Sequence, residues 1–254
     1  MYRPSHVALA AVMVALGIQG LITHTFTPVW QPIPRGVPGR EALVYFSAIV
    51  SLTCDLGMLV KRTAATAASI LFASLSMWWL VFRVGDIVRG PNDFGAWDGT
   101  AETAVMVAGT WVLFVRLAGD WDKRRIAFVG GDNGLRVARV LYGLALIPFG
   151  LAHLLYVKQT AVLVPSWLPA HVFWVYATAT AFLAAGLAVL INVWARLAAA
   201  LSALQIGLFT LLVWVPIVAA GTKDAYQWSE FGISTALTAA AWVVADSYRD
   251  IRTG

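Results

Sequence analysis

Cysteine is almost missing from these 254 residues: Cys54 stands alone. One thiol cannot close an intramolecular disulfide. It also cannot run a thiol–disulfide relay, which needs an attacking and a resolving thiol. Charge is scarce as well. Asp, Glu, Lys and Arg make up 12% of the chain, where soluble domains carry about 25%. Acids are the scarcer sign, 13 against 18 bases, for a net charge of +5. No glycine-rich phosphate loop, His-Glu-x-x-His, Cys-x-x-Cys or Gly-x-Ser-x-Gly occurs. No basic stripe alternates with stacking aromatics, which excludes nucleic acid as a partner. No polar low-complexity tract is present, so order is expected nearly throughout.

What is present is apolar. Hydrophobic residues form 60% of the chain, too many to hide inside a water-facing globule. Lipid is the natural solvent. A bilayer core needs about 20 apolar residues per helix. Eight stretches reach or approach that length: 5–26, 41–60, 63–83, 102–117, 137–157, 171–193, 195–219 and 230–246. They are continuously apolar and rich in Ala, Leu and Gly. Barrel strands would instead alternate in polarity. The fold class expected is an all-α membrane protein of about eight transmembrane helices.

Arg3 followed by an apolar run from Val7 to Leu16 has the look of a secretory leader. The small-x-small triplet Ala8-Leu9-Ala10 lies inside that run rather than after it, so the segment is read as a retained first helix. Twelve basic residues fall in the loops on the side of the N-terminus, among them Lys61, Arg62, Lys123, Arg124, Arg125 and Arg196. Six fall on the other side: Arg35, Arg40, Arg83, Arg89, Lys158 and Lys223. The positive-inside rule then makes both termini cytoplasmic, in a bacterial-type inner membrane.

The two halves echo each other. Gly20-Leu21-Ile22-Thr23-His24 matches Gly150-Leu151-Ala152-His153. A Pro/Trp segment follows each, Trp30 to Pro38 and Pro165 to Pro169. Next come an aromatic entry (Tyr45-Phe46, Trp174-Val175-Tyr176), a glycine (Gly57, Gly186) and a basic turn (Lys61-Arg62, Arg196). Trp97 with Glu102 matches Trp228 with Glu230. The organisation expected is a first four-helix repeat over 1–120, a cytoplasmic linker over 121–135 and a second repeat over 136–254. Four helices per repeat make them parallel repeats, pictured as two bundles side by side.

Over 136–247, four runs resemble the DoxX-like family of integral membrane proteins: Gly150-Leu151-Ala152-His153, Leu163-Val164-Pro165-Ser166-Trp167-Leu168-Pro169, Ala184-Ala185-Gly186-Leu187-Ala188 and Arg196-Leu197-Ala198-Ala199. The first half resembles the same family more faintly. The resemblance implies a four-helix unit, and a component of respiratory or sulfur-oxidising redox systems that touches quinone. It also implies a redox-enzyme partner in the membrane besides the lipid bilayer. Two units here replace the usual one, and the paired cysteines of the disulfide-forming relatives are missing.

The candidate ligand-binding residues are His24, His153, Glu102, Glu230, Asp55 and Trp167. Ionisable groups at membrane depth are functional suspects. The two histidines can ligate haem or a metal, or hydrogen-bond a quinone carbonyl; interface residues bonded to nearby backbone are the alternative. Glu102 and Glu230 suit the first turn of a helix, or can pair with the histidines. Asp55 lies inside an apolar helix, either ion-paired with Arg62 or Arg116 or serving a proton relay. Arg83, Asp86 and Arg89 read as a solvated loop. The twelve tryptophans read mostly as an interfacial belt, with Trp30 and Trp167 in lids over the bundle mouths. The cofactor stays open between quinone and haem. A non-catalytic assembly subunit and a small-molecule or lipid-binding transporter remain the rival functions.

Overall fold

A computed structural model describes residues 3–31, 33–34, 36–117 and 129–250. The expected linker lies largely outside them, as do Arg35, Lys123, Arg124, Arg125 and Arg252. The described residues form helices and turns with no strand. The long helices are α1 (Pro4–Thr23), α2 (Arg40–Met58), α3 (Ala64–Arg89), α4 (Phe94–Leu117), α5 (Gly131–Leu155), α6 (His171–Leu190), α7 (Ala195–Ala219) and α8 (Ala225–Ser247). A short helix, Val157–Leu163, follows α5. The helices α1 to α7 are long and apolar enough to cross a membrane. This is an all-α, multi-pass membrane protein.

Local chemistry sets the boundaries. Pro4 opens α1, where its missing N–H costs nothing. Left-handed residues lead into α2 and α6, Gly39 at φ 68° and Ala170 at φ 56°. Asp93 and Asp224 accept from the backbone N–H two residues on, each at 2.9 Å, and so cap α4 and α8. Those caps account for a difference from the sequence reading. Helices α4 and α8 begin at Phe94 and Ala225. Glu102 and Glu230 therefore sit inside their helices, and the first-turn acid role falls elsewhere. Likewise α3 runs on to Arg89, so Arg83 is helical rather than in a loop.

Helix α8 falls short of the other seven in apolar character while being 23 residues long. Its neighbours are α1, α4 and α7, so lipid touches little of it. A helix wrapped in protein needs no all-round apolar surface. Helix α4 is equally central, and α7 is the most lipid-exposed of the spans. The start of α1 meets the end of α8: the Arg3 guanidinium donates to the Asp246 carbonyl at 2.8 Å.

Many features recur at one interval. From Arg40 to His171, the starts of α2 and α6, is 171 − 40 = 131 residues. The same interval separates Ala64 from Ala195, and the π-turn Trp79–Arg83 in α3 from Thr210–Trp214 in α7. It also separates the indole N–H bonds of Trp97 to Pro91 O and Trp228 to Thr222 O. Gly109 of α4 and Ala240 of α8, again one interval apart, touch each other: a Cβ on Gly109 would lie 2.9 Å from the Ala240 Cβ. The packing order differs from two separate bundles side by side. Helix α4 packs on α5 and α8, and α8 on α1. The closing helix of each half thus leans on the opening helix of the other, because small residues let α4 and α8 meet at the centre.

Candidate functional site

Three polar side chains line one face of α2 at four-residue spacing: Ser47, Ser51 and Asp55. All are buried. Above them the buried turn Pro28–Trp30 plugs the bundle at the end where α1 finishes. The Trp30 indole donates to Ser51 Oγ at 2.8 Å, and Trp78 donates to the Trp30 carbonyl at 3.0 Å. The two indoles meet edge to face at 5.0 Å. Trp30 is therefore a core residue rather than a belt residue, because its N–H finds an acceptor inside. One turn deeper, Asp55 is 0% exposed, and neither carboxylate oxygen has a partner among the described residues. The ion pair expected with Arg62 or Arg116 does not form.

The corresponding interior of the second half is filled differently. One interval on, Ser51 and Asp55 give way to Phe182 and Gly186. This corrects the sequence pairing of Gly57 with Gly186 by two residues. Phe182 packs against Phe149, His153 and Phe209, and the imidazole stacks on Phe209 at 5.5 Å. His153 Nδ1 donates to the Phe149 carbonyl at 2.8 Å. His24 instead ends α1 on the surface, at φ 53°, with Tyr45 Oη 3.0 Å from Nδ1.

The histidines are not equivalent. A Cβ on Gly17 would lie 2.9 Å from the Ala48 carbonyl, and one on Gly150 would lie 2.9 Å from the Ala179 carbonyl, one interval further along. Gly17 therefore answers to Gly150, and His153 answers to Gly20. The imidazoles have separate surroundings, and the structure does not bring them together as a ligand pair. Trp167 is 68% exposed, outside any lid over His153. Among the described residues no three His, Cys, Asp or Glu side chains are grouped to hold a metal.

A second polar group gathers where α3, α4 and α8 meet. Arg83, in the π-turn, is buried. Its Nε donates to Thr103 Oγ1 at 2.9 Å, and its Nη2 lies 3.9 Å from Glu102 Oε2. Thr100 Oγ1 donates to the Arg83 carbonyl at 2.9 Å, meeting an acceptor that the π-turn leaves over. Asp98 and Glu230 lie within electrostatic reach of Glu102. So Glu102 and Glu230 do come within reach of each other, and it is an arginine rather than a histidine that Glu102 pairs with. Replacing Arg83 with alanine is expected to destabilise the protein by about 3 kcal/mol, because the buried Glu102 and Asp98 lose the cation beside them. Lysine should recover only part of this, lacking the fork that serves Thr103 and Glu102 together. Thermal unfolding in detergent reads both.

The chain matches no family model, no curated protein and no solved structure. The sequence reading missed the grouping of Arg83 with Asp98, Glu102 and Glu230, since it assigned Arg83 to a loop. The Ser47, Ser51, Asp55 column was legible as an i, i+4, i+8 run inside an apolar segment.

Proposed function

We propose that the chain is an eight-span protein of two tandem four-helix repeats, DoxX-like in kind, with both termini cytoplasmic in a bacterial-type inner membrane. Within it, the first repeat carries out a proton- or cation-dependent binding step for a small solute. The repeat reading draws support from the 131-residue interval shared by α2 with α6, α3 with α7 and α4 with α8, and the span assignment of α8 from its length and central position. The orientation rests on the twelve-to-six distribution of basic residues.

The observation that carries the functional reading is Asp55, a fully buried carboxyl with both oxygens unpartnered. Desolvating such a group without a hydrogen bond is costly, and an isolated charge costs far more. A proton or a small cation is the simplest partner that could come and go. The redox reading comes second. It rests on the family resemblance, and its haem form loses its basis with the separation of His24 from His153.

A hydrophobic carbodiimide, which enters membranes and modifies buried carboxyls, tests the proposal. Mass mapping of the treated protein should find Asp55 modified, sodium or low proton concentration should change the rate, and Asp55→Asn should abolish the adduct. An adduct on Glu102 with Asp55 left unmodified under every condition would sink the reading.

A further inference from the structure

A groove of about 400 Å³ runs between α7 and α8 on the outside of the second half. Its walls are small or apolar, with Ala203 and Gly207 on α7 and Trp242 and Ala245 on α8. Its mouth, at the end where the start of α1 meets the end of α8, holds Arg196, Asp246 and Arg249. Both kinds of surface belong to one amphiphile, with a chain along the walls and a head at the mouth.

The first half has no such space. One interval earlier, Ala203 and Ala245 correspond to Phe72 and Phe114, and Trp242 to Trp111. Those three rings fill the position: Phe72 stacks on Phe114 at 5.4 Å and meets Trp111 at 4.9 Å. The Trp111 indole donates to the Val129 carbonyl at 2.8 Å. Trp242, by contrast, is 40% exposed, and its N–H has no partner among the described residues. Two alanines thus open in the second half what two phenylalanines close in the first. By the same interval Arg196 answers to Ala65 rather than to the basic Lys61-Arg62 turn.

The charge at the mouth selects the head group. The one acid that lines the mouth among the described residues is already engaged: Asp246 Oδ2 accepts from Ser5 Oγ, and Oδ1 lies 3.1 Å from Arg249 Nε. Its carbonyl accepts from Arg3 and Arg116 at 2.8 and 2.7 Å. The carboxylate therefore orients Arg249. Arg196 stands in the first turn of α7, exposed. Basic pockets at this level of a membrane suit anionic head groups.

We propose that this groove is a binding site for one anionic phospholipid. The phosphate lies on Arg196 and Arg249, an ester carbonyl on the Trp242 N–H, and one acyl chain along Ala203 and Gly207. The choice of test substitutions rests on the repeat reading above. The site itself is separate from Asp55, so either proposal can fail alone.

Native mass spectrometry of the full chain, released from mixed phosphatidylglycerol and phosphatidylcholine, tests this. One retained phosphatidylglycerol is expected. Arg196→Gln and Arg249→Gln should each cut the preference for the anionic lipid roughly fivefold while a neutral lipid still binds. Filling the groove as the first half does, with Ala203→Phe and Ala245→Phe together, should remove the adduct of either lipid. Equal retention of the two lipids by the wild type would overturn the proposal. So would preferential displacement by an uncharged quinone analogue, or an adduct unchanged in both arginine variants. The arginine variants keep the wall intact, so they decide the matter even where the double phenylalanine variant does not fold.

Discussion

Asp55→Leu should give a more thermostable protein than the wild type, by about 1–3 kcal/mol. For a chain of this size that is an upward shift in Tm of roughly 5 °C. The ordinary expectation for a substitution at 0% exposure is the reverse, since most changes in a packed interior destabilise. The sign turns here because the wild type buries two carboxyl oxygens with no acceptor or donor in reach. Leucine keeps the same branched skeleton, though bulkier, and has no polar atom to desolvate. Asp55→Asn serves as the control: it keeps two polar atoms in the same unpartnered spot and should gain little. Tryptophan fluorescence during heating in mild detergent measures both. A residue kept against its stability cost is the pattern of a functional site. A strong loss of stability in Asp55→Leu would mean that the carboxyl has a partner after all, and the binding proposal would lose its motive.

Gly109→Leu should have the largest destabilising effect of any single change at the centre. Position 109 faces the Ala240 backbone, and even a Cβ there would come within 3.0 Å of the Ala240 Cα and 3.1 Å of its carbonyl oxygen. Backbone cannot swing aside as a long side chain can. The two central helices must separate, and α4 and α8 carry the contacts that join the halves. Overpacking typically costs about 1–3 kcal/mol, and a leucine against backbone should reach or exceed the top of that range. Gly109→Ala should be milder, and Ala240→Gly should recover part of it by vacating the opposing Cβ. The same Ala240→Gly should do little for Gly109→Leu. A coupling energy of about 0.5–3 kcal/mol between positions 109 and 240 is the expected mark of direct contact. Additive effects would mean that α4 and α8 do not meet there.

Sequence alone determined the helical class and roughly where the apolar spans lie, although α4 and α8 begin eight and five residues before the expected starts at 102 and 230. The reason is that both depend on one local signal, runs of about 20 apolar residues. It also marked Asp55, because one acid inside an apolar run is visible without coordinates. The tertiary structure decided the rest. Whether an acid has a partner depends on neighbours far along the chain, and only packing revealed that Arg62 and Arg116 leave Asp55 alone. The pairing of His24 with His153 looked sound by motif and failed by one helical turn, because helix registry is set by which glycine lies over which carbonyl. Arg83 moved from a loop to a buried site because α3 continues through a π-turn that composition does not announce. The open groove was equally hidden. Phe72 and Phe114 against Ala203 and Ala245 are four unremarkable apolar residues in sequence, and only their shared position between two helices turns the difference in size into a cavity.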